Sequence, residues 1–145
     1  MRFVYPYETS IEGESVVVTF PDVPGAATQV DADENFHELV VDCLVTALGG
    51  HVALHKSPPK PSAAQGRRVV WLGVLTSAKL ALAQAMVEAN MSNVALAKEM
   101  GVSEKVIRRL LDLDHVSRID KLEEALALFN KQLEVSVRQQ LHKVA

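Results

Sequence analysis

The stretch "LAKEMGVSEKVIRRLL", residues 96–111, reads as two short helices pinched at Gly101. Ala95, Leu96 and Met100 form an inward face before the glycine. Val106, Ile107, Leu110 and Leu111 form another after it, with Val102 beneath the turn. Ser92 and Ser103 stand where a hydroxyl satisfies the free amides at each helix start. Gly101 supplies the left-handed backbone that a tight helix end demands. Two helices crossing steeply through such a turn predict a helix-turn-helix.

The outer side of the second helix carries Lys105, Arg108, Arg109 and Asp112 at i, i+3, i+4 and i+7, so three cations share one surface. Pairing of Arg108 with Glu104 or with Asp112 would decorate a solvated helix, at roughly a few tenths of a kcal/mol per pair. The turn, the two caps and the following loop point beyond decoration. His115, Ser117 and Arg118 form a polar loop just past the helix, placed for contacts to phosphates.

Working outward, "TSAKLALAQAMVEAN" (76–90), "NVALAKEM" (93–100), "SEKVIRRLLDL" (103–113) and "IDKLEEALALFN" (119–130) predict four helical segments. After them "LEVSV" alternates Leu133, Val135 and Val137 with Glu134 and Ser136, the pattern of a short strand. A lone strand needs a partner, and a two-fold related copy supplies one.

Upstream the signals change. "KSPPKPSAAQGRR", residues 56–68, is a surface connection or hinge, because Pro58, Pro59 and Pro61 remove donors and disfavour helix. Before it, "MRFVYPYETS" and "ESVVVTF" flank a hairpin turn at Ile11-Glu12-Gly13, with Pro6 confining the first strand to an edge or a bulge. "FPDVPG" is a rigid turn and "AATQV" a third strand. Asp31 or Asp33 is expected to cap a helix over "ENFHELVVDCLVTALGGHV", with Phe36, Leu39, Val40, Cys43, Ala47 and Leu48 inward. Val69–Leu72 returns as a strand. The expected fold class is α+β: a β-β-β-α-β domain over 1–75, then an all-α helix-turn-helix domain over 76–145.

The 145 residues, 48% hydrophobic and 23% charged, are ordinary for a globular chain. No apolar run is read as approaching the roughly 18 residues of a membrane helix. The N-terminus lacks the pattern of a signal peptide. A single cysteine, Cys43, lies in an apolar segment and fits a reducing cytoplasm. Charge divides unevenly: residues 1–55 hold nine acids and one base, net −8, while residues 56–145 hold fourteen bases and nine acids, net +5. Two kinds of partner are implied.

"SNVALAKEMGVSEKVIRRLLDLDHVSRIDKLEEALALF" resembles the Xre-type helix-turn-helix of bacterial repressors. Together with "VVVTFPDVPGAATQVDADENFHELVVDCLVTAL", nearly the whole chain resembles HicB-type antitoxins, although Val30 stands where many relatives have Gly and Asn35-Phe36 replaces a Glu-Ala pair. The resemblance implies an N-terminal half of degenerate RNase H-like fold that binds a small, messenger-RNA-cleaving HicA-like toxin, and a C-terminal half that binds operator DNA. A basic toxin would be complemented by the acids Glu12, Glu14, Asp22, Asp31, Asp33, Glu34 and Glu38. On the DNA side, Glu104, Lys105 and Arg108 are expected to face base edges, with Asn93, Ser103, Arg109 and Arg118 on phosphates. A homodimer or higher homo-oligomer, joined through Leu133, Val135 and Val137, would read two half-sites.

Catalysis finds little support. Asp22, Asp31 and Asp33 sit in turns and at a helix start, not along a strand where a pair of metals would be held. His51 and His55 lack a third ligand, and Gly49-Gly50 lacks the Lys and Ser/Thr of a phosphate loop. No cofactor or metal is expected, and no membrane contact. The alternative is a stand-alone repressor with an N-terminal sensor or oligomerisation domain.

Overall fold

Two residues, Gly13 and Glu14, turn the first strand into the second, with Gly13 at φ +65° as a two-residue hairpin with glycine in its first position requires. The computed structural model describes residues 1–139. Strands β1 (Val4–Glu12), β2 (Ser15–Thr19), β3 (Ala27–Val30) and β4 (Arg68–Trp71) form one antiparallel sheet in the order β3-β2-β1-β4. Helix α1 (Phe36–Ala53) covers one face. Register puts Tyr5 opposite Val70 and Val16 opposite Val30, so alternate residues Tyr5, Val18, Val30 and Val70 are buried together. The Tyr7 ring leans on Phe20 and Phe36, with centroids 6.0 and 6.3 Å away.

Pro6 does not put β1 at an edge: β1 is an inner strand. It has only β4 beside it at Pro6, however, because pairing with β2 begins at Glu8. Leu72 N–H donates to Phe3 O, which places the odd residues of β1 in the hydrogen-bonded positions facing β4. The missing N–H of Pro6 therefore points to the vacant side and costs no ladder bond.

The cap of α1 is Asn35, whose side-chain oxygen accepts from Glu38 N–H at 3.2 Å, in place of the expected Asp31 or Asp33. Asp31 is occupied at the sheet, accepting from Ser15 Oγ at 2.5 Å, and its N–H donates to Glu34 at 2.8 Å. The fully buried line of α1 is Val40, Leu44, Leu48 and Val52, one step round from the expected stripe. By length and composition α1, with only the acids Glu38 and Asp42, is apolar enough to cross a membrane, which corrects the reading from sequence. It is partly buried, packing one line of side chains, Val40, Leu44, Leu48 and Val52, into the core.

The proline-rich segment is the expected surface connection, and it is fastened to the sheet domain along its length. Pro58 is buried, Tyr5 donates to Pro59 O at 2.6 Å, and Ser62 donates to Asp22 through N and Oγ at 2.9 and 3.0 Å. Arg67 fastens its far end to Ala63 and Ala64 carbonyls. Prolines lack donors but keep carbonyls, and the neighbouring side chains use them.

Leu72 and Gly73 alone separate β4 from α2 (Val74–Glu88). Then come α3 (Asn93–Met100), α4 (Glu104–Leu111) and α5 (Ile119–Ala127). Ala97 joins Leu96 in the core while Ala95 is exposed, so α3 is rotated from its expected orientation. A single apolar cluster runs from Tyr5 and Leu44 through Leu80 and Leu82 to Leu96, Ile107, Leu122 and Leu126. Residues 133–137 form no strand in this chain; the alternation lacks a paired edge to satisfy its backbone.

Candidate functional site

Ser92 caps α3, accepting from Ala95 N–H at 3.1 Å, and Gly101 ends it at φ +66°. Ser103 stands at the start of α4 with extended backbone, but its hydroxyl makes no capping bond. Ile107, Leu110 and Leu111 are buried, which turns Glu104, Lys105, Arg108 and Arg109 outward. Glu104 and Arg108 form an exposed pair at 3.7 Å, the weak kind. Among the described residues no carboxylate lies within ion-pair distance of Lys105 or Arg109. Asn93 opens α3 with its Oδ1 buried and unpartnered.

Beneath this surface is a residue that the sequence pattern alone did not single out. Lys79 of α2 is 0% exposed. Its ammonium donates to Arg109 O at 2.8 Å, Asp112 O at 2.6 Å, His115 O at 2.7 Å and Ser117 Oγ at 2.8 Å. The last carbonyls of a helix have no intrahelical partner, and a cation there is favoured by the helix dipole. Burial pushes the Lys79 amine below its ordinary value, with the Asp112 carboxylate opposing. A signal for it exists in the periodicity: Lys79 aligns at i+3, i+4 and i+7 with buried Leu82, Ala83 and Met86.

The loop after α4 is consequently ordered. Ser117 Oγ also donates to Arg109 O at 3.2 Å and lies 3.1 Å from His115 Nδ1. His115 and Arg118 remain exposed, and Arg118 reaches Asp120 with two bonds, at 3.1 and 2.5 Å. Lys105, Arg108, Arg109, His115 and Arg118 thus belong to one helix and the loop that closes it, while Ser117 is turned inward.

The acidic candidates separate. Glu12 and Glu14 lie at the β1–β2 turn, and the Ser15–Asp31 bond brings Asp31, Asp33 and Glu34 to that same end of the sheet, with Glu38 in the first turn of α1. Asp22 sits at the opposite end of β2, engaged with Ser62. The far end of α1 meets the helical half: Val52, His55 and Lys56 line a cavity of about 420 Å³ with Met91, Asn93 and Glu104. At 1.5 Å per residue α1 places about 27 Å between the acidic end and that junction. Leu133 is half-buried beside the core, Val135 is exposed and Val137 is 95% exposed.

Known proteins resemble this chain along most of its length. The model of the HicB-like antitoxin family of bacterial toxin–antitoxin systems matches residues 4–81, the sheet, α1 and the first half of α2. Antitoxin HicB 2 of Photorhabdus laumondii subsp. laumondii is 32% identical over 93% of this chain and 95% of its own length. Antitoxin HicB 1 of the same organism is 29% identical over 94% and 87%. Antitoxin HicB of Escherichia coli K12 is 26% identical over 92% and 96%.

Proposed function

Because this chain belongs to the HicB-like antitoxins of bacterial toxin–antitoxin systems, non-enzymatic proteins whose partner is a HicA toxin, we propose that it neutralises that toxin by direct binding and represses its own operon through α4. The toxin is a small, basic, messenger-RNA-cleaving protein. Its docking surface is the acidic end of the sheet, where Glu12, Glu14, Asp31, Asp33, Glu34 and Glu38 meet it; complementary charge speeds encounter and orients the two proteins. Asp22 contributes through the loop it holds.

The single observation that carries the DNA reading is the outward row of Lys105, Arg108 and Arg109 on a helix with its inner face buried and its end clamped. Set in the major groove, α4 brings Glu104, Lys105 and Arg108 to base edges. Ser103, Arg109, Asn93, His115 and Arg118 lie along the phosphates, and Ser117, turned inward, serves only to hold the loop. One short helix reads few base pairs, so a homodimer or higher homo-oligomer built through Leu133, Val135 and Val137 presents two of them.

Two measurements test this. Co-expression with the small basic protein encoded beside it yields a stable complex, and that protein alone arrests growth. A gel-shift with DNA from upstream of the operon gives a discrete complex. Failure of the first removes the toxin surface; failure of the second removes repression through α4.

A further inference from the structure

We propose that Lys79 is the positioning residue of the DNA-reading surface: from inside the protein it fixes the loop bearing His115 and Arg118 relative to α4, so that both meet the same duplex. The inference rests on the DNA reading above and names a residue that never touches DNA.

The geometry is specific. One ammonium with three N–H groups serves four oxygens, all at 2.6–2.8 Å, spread over nine residues from Arg109 to Ser117. Two lie at the end of α4 (Arg109 and the cap residue Asp112) and two in the loop. Sliding the loop against the helix breaks at least one of these bonds to an ammonium whose residue is 0% exposed. The hub is itself held, because Lys79 lies in the second turn of α2, on a helix tied to β4 through only Leu72 and Gly73. The other ties of the loop are local: Ser117 Oγ donates to Arg109 O, His115 N–H to Asp112 O and Asp114 N–H to the Asp112 side chain, while Leu113 packs against the core. Lys79 is the tie that joins the helix end and the loop to α2, whereas Val116 is 86% exposed and Arg118 pairs outward with Asp120. Base-reading cations on α4 and phosphate-facing groups on the loop therefore take their spacing from Lys79.

The test uses the full-length chain and DNA from upstream of its operon, with affinity measured across a KCl series and thermal melting recorded alongside. Lys79→Met keeps the stem and removes every donor. The expected result is a folded protein that binds at least about tenfold more weakly. Its plot of log K against log salt becomes shallower by about 0.9 for each phosphate that the displaced loop no longer neutralises, about 1–2 in all. A residue that only stabilises the fold lowers the melting temperature without changing that slope. Should Lys79→Met not fold, Lys79→Gln, which keeps two donors, is measured in the same way. An unchanged slope in a folded variant overturns the inference, as does failure of both variants to fold. Absence of binding by the unsubstituted chain overturns the DNA reading and this inference with it.

Discussion

Tyr5 and Lys79 each bury a polar tip against backbone carbonyls distant in the chain, at Pro59 and beyond Arg109. Burial, reinforced by the charge of Asp22, pushes the Tyr5 phenol above its ordinary value. The sign follows. The folded state holds the proton longer than the unfolded state, so this contribution is intact below about pH 10 and is lost as pH rises beyond it. Tyr5→Phe is expected to cost about 0.5–1.5 kcal/mol near neutrality, read from urea midpoints. Its loss of stability above about pH 10 should be shallower than that of the unsubstituted protein. Parallel slopes there would show that another group governs alkaline unfolding. Arg108 makes only an exposed pair with Glu104. Arg108→Ala should reduce discrimination among operator variants by about 1–3 kcal/mol and leave the toxin complex intact. Equal loss of both would contradict separate surfaces.

At the scale of elements, the helices α3 and α4 and the turn between them were legible because their determinants are local. Gly101 takes the left-handed conformation, and α3 begins and ends at the residues its spacing indicates. The serines were less legible, since a hydroxyl at a helix start does not always bond. Ser92→Ala should cost about 1 kcal/mol by urea denaturation, and Ser103→Ala close to nothing. A similar cost for both would mean that Ser103 also caps α4. Asn35 rather than Asp31 or Asp33 caps α1 because the helix begins at Phe36, directly after it, while Asp31 bonds Ser15 across the sheet. The fastening of the proline-rich connection was not legible for a related reason: Asp22 and Tyr5, which hold it, are 40 and 54 residues away from Ser62 and Pro59.

For the whole molecule, one apolar cluster is shared by sheet and helices, and a shared core is expected to unfold as one unit. Thermal unfolding followed by near- and far-ultraviolet circular dichroism should give coincident transitions, and two separated ones would count against it. The end of the chain is different. Arg138 stacks over Trp71 at 4.1 Å, while Val135 and Val137 stand exposed. Truncation after Asn130 is expected to lower the oligomer number measured by light scattering; an unchanged number would place the contact between copies elsewhere.

Apart from the strand pattern at residues 133–137, sequence alone determined the order and type of the elements, the αL turn at Gly101 and the outward cations of α4, because each follows from local dihedral preference or hydrophobic period. It also carried the family resemblance, in motifs spanning both halves. Tertiary structure decided what depends on partners distant in the chain: the inner place of β1, the fastening of the proline-rich loop, the gathering of Glu12, Glu14, Asp31, Asp33 and Glu34 at one end, and the burial of Lys79. A lysine reads as solvent-facing until the carbonyls that receive it are brought together. Those carbonyls lie 30–36 residues further along the chain.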